Sequence, residues 1–140
     1  MSRDPYIDTL RHVALFSQCT DAELRMIASI TTDLEVAAEK ELCSEGHPGE
    51  EFFVLVDGEV RVTVDGKEIA TVGAGGYVGE LALLDAGPRL ATVTTTKPTR
   101  VLVLSRREFN SLLSDSPSVT LQILHGLGRR LRESRVAASS

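Results

Sequence analysis

The clearest pattern in the chain is a strict alternation of apolar and polar residues over 60–64, which reads Val-Arg-Val-Thr-Val. Successive side chains of a strand point to opposite faces, so this spacing predicts a strand with one buried face. Residues 52–56 are continuously apolar and predict a central strand. Asp65-Gly66, directly after the alternating segment, predicts a tight hairpin turn into the next strand.

The same strand-and-turn pattern extends from residue 33 to residue 104. It consists of short runs rich in Val, Ile, Leu and Thr, separated by turns containing Gly, Asp and Pro. They predict five further strands, at 34–37, 41–44, 67–72, 90–95 and 100–104. Seven or eight short strands favour a closed jelly-roll or β-roll over an open sheet. We therefore expect a mainly β fold, an eight-stranded jelly-roll-like β-roll over 32–104 with flanking helices.

Helical signals precede the strands. Thr20 and Glu23 have the spacing of a capping box, in which each side chain accepts a hydrogen bond from the other residue's backbone amide. This pair predicts the start of a helix. Apolar positions before it indicate an earlier helix and a break, so we expect a helical N-terminus over 5–31.

Two further helix starts follow the strands. Ser105 and Glu108 have the spacing of a second capping box. Ser116-Pro117 then places a proline at a first helical position, where its missing amide hydrogen costs nothing. We expect C-terminal helices over 105–135 and one domain over 1–140.

Gly126 and Gly128 lie inside the apolar stripe of the last predicted helix. Each glycine costs a helix about 1 kcal/mol relative to alanine, so another factor must favour it. Either the helix backbone packs closely against the roll, or the segment is a soft lid. We favour close packing, because hinges are rarer than close contacts.

The segment around Gly79, Glu80 and Arg89 carries the most specific chemistry. Gly79 precedes residues able to make one helical turn, whose first amides would point at an anion. Arg89 follows a Gly-Pro turn, and its planar guanidinium matches two oxygens of a phosphate. A carboxylate beside an anion site is repulsive unless it faces another part of the ligand, so Glu80 is expected to accept hydrogen bonds from a sugar hydroxyl.

These residues resemble the phosphate-binding cassette of the cyclic nucleotide-binding domain family, which reads Gly-Glu-Leu-Ala-Leu and then, after a short gap, Pro-Arg-small-Ala-Thr. The resemblance extends along nearly the whole chain. It implies that Glu80 takes the ribose 2′-hydroxyl of cAMP or cGMP and that Arg89 takes the cyclic phosphate. It also implies that the backbone of Gly79, Leu81 and Ala82 completes the cradle.

Pro88, Leu90 and Ala91 flank the arginine and complete the candidate ligand-binding set. Two positions depart from the family pattern. Val78 stands where many members have an aromatic residue, which affects packing beneath the pocket and no polar contact. Leu90 lacks the hydroxyl found in members selective for cGMP and cannot hydrogen-bond a guanine amino group, so we expect cAMP rather than cGMP.

We further expect a sensor in which the phosphate neutralises Arg89 and draws the cassette inward. The C-terminal helix would then move over the base through Leu124, Leu127 and Arg129 or Arg130. Ligand binding would thereby set the position of a helix. We expect the responding element to be an effector protein or an effector domain absent from this sequence, with a homodimer through the C-terminal helix as a further possibility.

The composition narrows the protein class. The chain has 140 residues, 42% of them hydrophobic and 25% charged, which suits an ordinary globular domain. No apolar run approaches the roughly 20 residues of a membrane helix, and the start has no signal-peptide core, so we expect a cytoplasmic protein without membrane contact. Cys19 and Cys43 have neither redox nor metal spacing and are expected to be buried thiols, although a bridge between them stays open.

The net charge of −5 argues against nucleic-acid binding by this chain alone, because the overall field repels phosphate backbones. One basic cluster stands near the C-terminus and comprises Arg129, Arg130, Arg132 and Arg135. A solvated helix end, favoured by the helix dipole, explains this cluster better than a nucleic-acid contact does.

Other chemistries fit poorly. The glycines at 73–79 do not have dinucleotide-binding spacing, and neither a phosphate-binding P-loop nor a nucleophile elbow occurs. His12, His47 and His125 lie in separate segments, so we expect no metal and no cofactor beyond the nucleotide ligand. Catalytic residues are not expected either, and the chain is predicted not to be an enzyme.

Three hypotheses therefore stand. The first is a cAMP-responsive regulatory module. The second is a ligand-free interaction domain that retains the β-roll, in which Glu80 and Arg89 simply pair with each other. The third and weakest is a phosphate-ester hydrolase that would use Glu80 with Asp85.

Overall fold

The computed structural model describes residues 4–139, with side chains described over 6–133. The chain divides into two compact units. One consists of the residues up to Ser29 together with those from Ser111 onward, and the other comprises Ile30–Asn110. Helices form the first unit, and the second contains all eight strands of the described residues.

The helices are α1 (Asp4–Arg11), α2 (Asp21–Ser29), α3 (Arg106–Asp115) and α4 (Pro117–Ser139), with 3₁₀ helices at Ala14–Phe16 and Glu80–Leu83. The strands are β1 (Thr32–Val36), β2 (Glu41–Cys43), β3 (Glu51–Asp57), β4 (Glu59–Val64), β5 (Lys67–Gly73), β6 (Tyr77–Val78), β7 (Thr92–Thr95) and β8 (Thr99–Ser105). We call the 3₁₀ helix Glu80–Leu83 the cassette turn.

The strands form two four-stranded antiparallel sheets, in the orders β1-β8-β3-β6 and β2-β7-β4-β5. The predicted eight-stranded, mainly β fold with flanking helices is therefore confirmed. The apolar run that predicts a central strand is β3, which lies between β8 and β6. The sequence gives no period for β6, because two residues are too few to show one.

The buried faces of both sheets contribute to one hydrophobic cluster. Its members are Cys43, Phe53, Leu55, Val60, Val78, Val93, Val101 and Val103. The predicted hairpin after β4 is present, since Asp65 and Gly66 have φ values of 52° and 78°, as a type I′ turn requires. The packed cluster holds in place the ends of the strands next to the candidate site.

Both helix starts predicted from a capping box are capped, the first by a complete capping box and the second by one of the two bonds of such a box. The Glu23 amide donates to Thr20 Oγ1 at 3.2 Å, and the Thr20 amide donates to Glu23 Oε1 at 2.8 Å. At the start of α3 the Glu108 amide donates to Ser105 Oγ at 3.2 Å. Glu23 also accepts a 2.7 Å hydrogen bond from the Ser118 hydroxyl, which ties the start of α2 to the first turn of α4.

The two glycines of α4 differ in their surroundings. A Cβ at Gly126 would lie 2.5 Å from the Leu15 carbonyl oxygen and 3.1 Å from that of Ala14. Close packing at Gly126 is therefore present, but its partner is the 3₁₀ helix Ala14–Phe16, so the expectation of packing against the roll was wrong. A Cβ at Gly128 would have nothing within 4 Å, so close packing does not explain that residue.

Candidate functional site

The cassette turn begins at a glycine that adopts a left-handed conformation. Gly79 has φ 83° and ψ 19°, which residues with a Cβ rarely adopt. A Cβ at this position would also lie 2.9 Å from Arg89 Nη1 and 2.9 Å from the Glu51 carbonyl oxygen. Glycine is therefore required here both for the backbone turn and for the close approach of the guanidinium.

Strand pairing places this glycine beside the start of β3. β6 pairs antiparallel with β3, with Phe53 opposite Val78 and Val54 opposite Tyr77. The chain then leaves the sheet at Gly79, and the Ala82 amide donates to the Gly79 carbonyl oxygen at 3.0 Å. The short strand thus fixes where the cassette turn starts.

The backbone of Arg89 is held on the loop between β2 and β3. An isolated antiparallel bridge joins Pro48 to Pro88. The Arg89 amide donates to the His47 carbonyl oxygen at 2.9 Å, and the Arg89 carbonyl oxygen accepts from the Gly46 amide at 2.9 Å. These contacts fix the direction in which the arginine side chain leaves the backbone.

The guanidinium of Arg89 is packed on two sides. Its Cζ lies 5.9 Å from the centre of the Phe53 ring, within cation–π range. Gly49 lies so close that a Cβ built there would overlap Nε and Cζ of the arginine. The charged group is therefore held inside the site by an aromatic ring and a glycine backbone.

Arg89 Nη1 is buried and has no hydrogen-bond partner among the described residues. Nor does Arg89 form an ion pair with any residue of the described range, Glu80 included. A buried donor without a partner costs about 1–3 kcal/mol, and more when it carries charge. The group is therefore suited to an anionic oxygen, and the alternative in which Glu80 and Arg89 pair with each other is absent from this structure.

The other predicted site residues surround the same turn with different exposures. Glu80 opens the turn, and its Oε2 atom is buried. Ala82 is only 7% exposed, whereas the side chains of Leu81 and Leu90 are 54% and 71% exposed. Because the Ala82 amide is engaged by Gly79, Leu81 and Gly79 stay the predicted backbone donors for a ligand.

Two residues of this region carried no functional prediction. Gly49 belongs to a glycine- and proline-containing turn, and nothing in its local sequence indicates contact with Arg89. Arg106 lies inside the capping box at the start of α3, yet its Nη1 donates to the carbonyl oxygens of Ala82 and Asp85, at 3.2 and 3.3 Å. Only the tertiary contacts reveal either role.

A cavity of about 710 Å³ opens beside Arg89. It is lined by Arg89 but by no other residue of the candidate set within the described part of the chain, and carboxylates of Glu41, Glu50 and Glu51 contribute to its wall. Burial raises the pKa of the Cys43 thiol on this wall, and the nearby Arg89 opposes that rise. Arg107 also lines the cavity, so its wall carries both signs of charge, and because Arg89 alone of the candidate set reaches it within the described part of the chain, we do not assign the anion site to this cavity.

Both cysteines are buried thiols, as expected. Burial raises the pKa of Cys19 to about 11, which makes it a poor nucleophile. Among the described residues, none of the helices has the length and apolar character needed to cross a bilayer.

The chain is similar in sequence to known regulatory proteins. A CRP-like cAMP-activated global transcriptional regulator of Mycobacterium tuberculosis is 33% identical over 94 residues, covering 64% of this chain and 42% of that protein. A cAMP-dependent protein kinase regulatory subunit of Mycosarcoma maydis is 38% identical over 117 residues, covering 77% of this chain and 22% of that protein. The chain thus spans less than half the length of these curated relatives.

The chain is also similar in structure to solved domains of regulatory proteins. The N-terminal domain of a transcriptional regulator from Streptomyces coelicolor A3(2) superposes with a TM-score of 0.83 at 32% identity, covering 93% of this chain and 94% of that one. The regulatory domain of Toxoplasma gondii PKA with cAMP gives a TM-score of 0.72 at 31% identity, covering 79% of this chain and 44% of that one. The family model for the cyclic nucleotide-binding domain matches residues 33–116. The chain therefore belongs to the cyclic nucleotide-binding domain family.

Proposed function

We propose that this chain is a regulatory domain that binds cAMP at the cassette turn and reports occupancy through its C-terminal helix. The observation that carries the proposal is the buried Nη1 of Arg89, which has no hydrogen-bond partner in the described structure. A cyclic phosphate would supply the acceptor oxygens and the counter-charge together. The proposal is also supported by two relatives compared above, which are named as a cAMP-activated regulator and as a regulatory subunit of a cAMP-dependent protein kinase.

The anion would lie between Arg89 and the start of the cassette turn. Gly79 brings the turn within reach of the guanidinium, because its missing side chain leaves room for Nη1. The Gly79 and Leu81 amides would add uncharged donors. Two charge-assisted bonds from a planar guanidinium also favour a phosphate with two non-bridging oxygens, which a cyclic monophosphate has.

Glu80 would select the sugar. Its Oε2 is buried at the start of the turn. A carboxylate in this position repels the phosphate but accepts a hydrogen bond from a ribose 2′-hydroxyl. The acid thereby favours a ribonucleotide in which phosphate and hydroxyl lie on the same side of the sugar.

Two observations favour cAMP over cGMP. Leu90 follows the arginine directly and offers no hydroxyl to a guanine amino group. Structures of two similar regulatory domains, from Toxoplasma gondii PKA and from PfPKA-R, contain cAMP. Discrimination of this kind is expected to be modest, because it depends on one missing hydrogen bond at an exposed residue.

The response would pass through α4. Its Leu121, Leu124 and Leu131 side chains are 51%, 57% and 62% exposed, so the helix presents apolar surface that a new position could cover. A change in the position of α4 could thus be read by an effector protein, an effector domain or a second copy of the chain. No turnover of the nucleotide is part of this function.

Isothermal titration of the purified chain with cAMP, cGMP and 5′-AMP tests the proposal. We expect saturable binding in the order cAMP, cGMP, 5′-AMP, with the cAMP recovered unchanged by chromatography. Recovery of 5′-AMP from added cAMP would point to the hydrolase instead. Absence of binding to all three nucleotides would overturn the proposal and leave the ligand-free interaction domain.

A further inference from the structure

Arg106 joins the carbonyl end of the cassette turn to the first turn of α3. Its Nη1 donates to the Ala82 and Asp85 carbonyl oxygens at 3.2 and 3.3 Å, and its own amide donates to the Glu50 carbonyl oxygen at 2.8 Å. The last carbonyls of a helical turn have no partner within it, so a cation there satisfies both hydrogen bonding and the dipole. All of these residues belong to the same compact unit.

The carbonyl contacts outweigh the ion pair that Arg106 also makes. Arg106 Nη2 lies 3.4 Å from Glu50 Oε1, and the side chains of the two residues are 21% and 69% exposed. Ion pairs with an exposed partner contribute little to stability. The two carbonyl bonds hold a more enclosed guanidinium against the end of the turn. The Arg106 side chain therefore contacts the cassette turn mainly through backbone carbonyl oxygens at the end of the turn.

The two arginines lie at opposite ends of one short turn. Arg89 is beside Gly79, where the turn starts, and Arg106 binds Ala82 and Asp85, where it ends. The same strand start supports both, because the Glu51 carbonyl oxygen lies against Gly79 while that of Glu50 accepts the Arg106 amide. A displacement of the turn towards the anion must therefore lengthen the Arg106 bonds or carry the start of α3 with it.

We infer that Arg106 is a positioning residue that couples occupancy of the anion site to the order of the first turn of α3. This inference rests on the proposed function for its ligand. By linkage, if ligand binding orders the first turn of α3 through this contact, the ordered turn raises the affinity for the ligand by the same factor. Loss of Arg106 is therefore expected to weaken cAMP binding without removing any group that touches the nucleotide.

The test compares Arg106→Gln and Arg106→Lys with Arg107→Gln, a matched removal of charge from the adjacent, exposed residue. Amide hydrogen exchange and calorimetry are measured with and without cAMP. We expect Arg106→Gln to bind cAMP about fivefold or more weakly, at the lower end of typical coupling, and to lose the ligand-induced protection of residues 106–110. Arg106→Lys should restore part of both effects, since it keeps a cationic donor but on a shorter side chain and without the fixed planar geometry of the guanidinium. Arg107→Gln should match the wild type.

A ligand-free comparison separates this inference from the proposed function. Without nucleotide, Arg106→Gln should speed amide exchange at 83–85, where the turn ends, while thermal unfolding shows that the variant is folded. If wild-type protein fails to bind cAMP, the proposed function fails, and this comparison still tests the contact. If Arg106→Gln retains wild-type affinity, ligand-induced protection and ligand-free exchange, the positioning role is overturned.

Discussion

Gly49 lies directly against the guanidinium of Arg89, in the space that a side chain at position 49 would occupy. The two residues come from different loops, and the Nη1 atom of the same guanidinium is buried without a hydrogen-bond partner among the described residues. The proposed anion site thus depends on the absence of a side chain at position 49 as much as on the charge of Arg89.

Gly49→Ala should weaken cAMP binding about tenfold or more while leaving the fold intact. The new methyl group would overlap the Arg89 side chain, which has several rotatable bonds. The guanidinium must therefore turn away from the site, while the backbone can stay in place. Calorimetry measures the affinity and thermal unfolding the stability. Gly73→Ala is the matched control, because a Cβ there meets nothing within 4 Å. Equal affinities in the two variants would contradict the packing of Arg89 described here.

Arg89→Ala should cost cAMP binding about 2–5 kcal/mol, the usual loss when one side of a buried, hydrogen-bonded charge pair is truncated. Arg89→Lys should lose less binding free energy than Arg89→Ala, because lysine keeps the charge although it cannot form the bidentate contact of a guanidinium. Titration calorimetry at constant ionic strength measures both. Unchanged affinity in Arg89→Ala would remove this residue from the site.

Glu80 and the ribose 2′-hydroxyl should show a direct energetic coupling. We expect 2′-deoxy-cAMP to bind wild-type protein more weakly by about 1.5–3 kcal/mol, the value of a hydrogen bond to a charged group. In Glu80→Ala the two nucleotides should bind equally, since the acceptor is missing. This double-mutant cycle isolates the contact from any general loosening of the turn. A preference for cAMP that persists in Glu80→Ala would show that another group reads the hydroxyl.

The two glycines of α4 should respond oppositely to alanine. Gly126→Ala should lower the free energy of unfolding by about 1–2 kcal/mol, because overpacking against the Leu15 backbone exceeds the gain in helix propensity. Gly128→Ala should raise it by about 1 kcal/mol, since nothing lies within 4 Å of the new methyl group. Urea denaturation of the pair gives both values. Stabilisation by both substitutions would show that Gly126 is not packed as described.

Glu23 should contribute stability that is lost in acid. Its hydrogen bond from the Thr20 amide, then that from the Ser118 hydroxyl, lower the pKa of this carboxyl below its ordinary value of 4.5, despite burial. The unfolded state therefore takes up this proton first as the pH falls, so the contribution is complete above pH 4.5 and declines below it as the folded carboxyl titrates. Denaturant unfolding between pH 7 and pH 3 should show a shallower acid decline for Glu23→Gln than for wild type. Glu35→Gln, at an exposed position, should behave like wild type.

Much of the fold could be predicted because its signals are local. The alternation at 60–64 predicts a strand and Asp65-Gly66 a hairpin turn with left-handed backbone, and both are present, although Val60 alone among the residues of β4 is fully buried. The Thr20–Glu23 box likewise needs only neighbouring residues. The strand missed was β6, whose two residues pair with β3 but are too few to show a period in the sequence.

The strand pattern, the helix starts and the residues proposed to bind a cyclic nucleotide could be predicted from the amino-acid sequence, since each is encoded within a few consecutive positions. Only the folded chain shows that Gly49 encloses Arg89, that Arg106 binds carbonyl oxygens at the far end of the cassette turn and that Gly126 packs on Leu15. These contacts join segments far apart in the chain. Their existence depends on chain packing and on which backbones approach closely, and neither property leaves a periodic trace in the sequence.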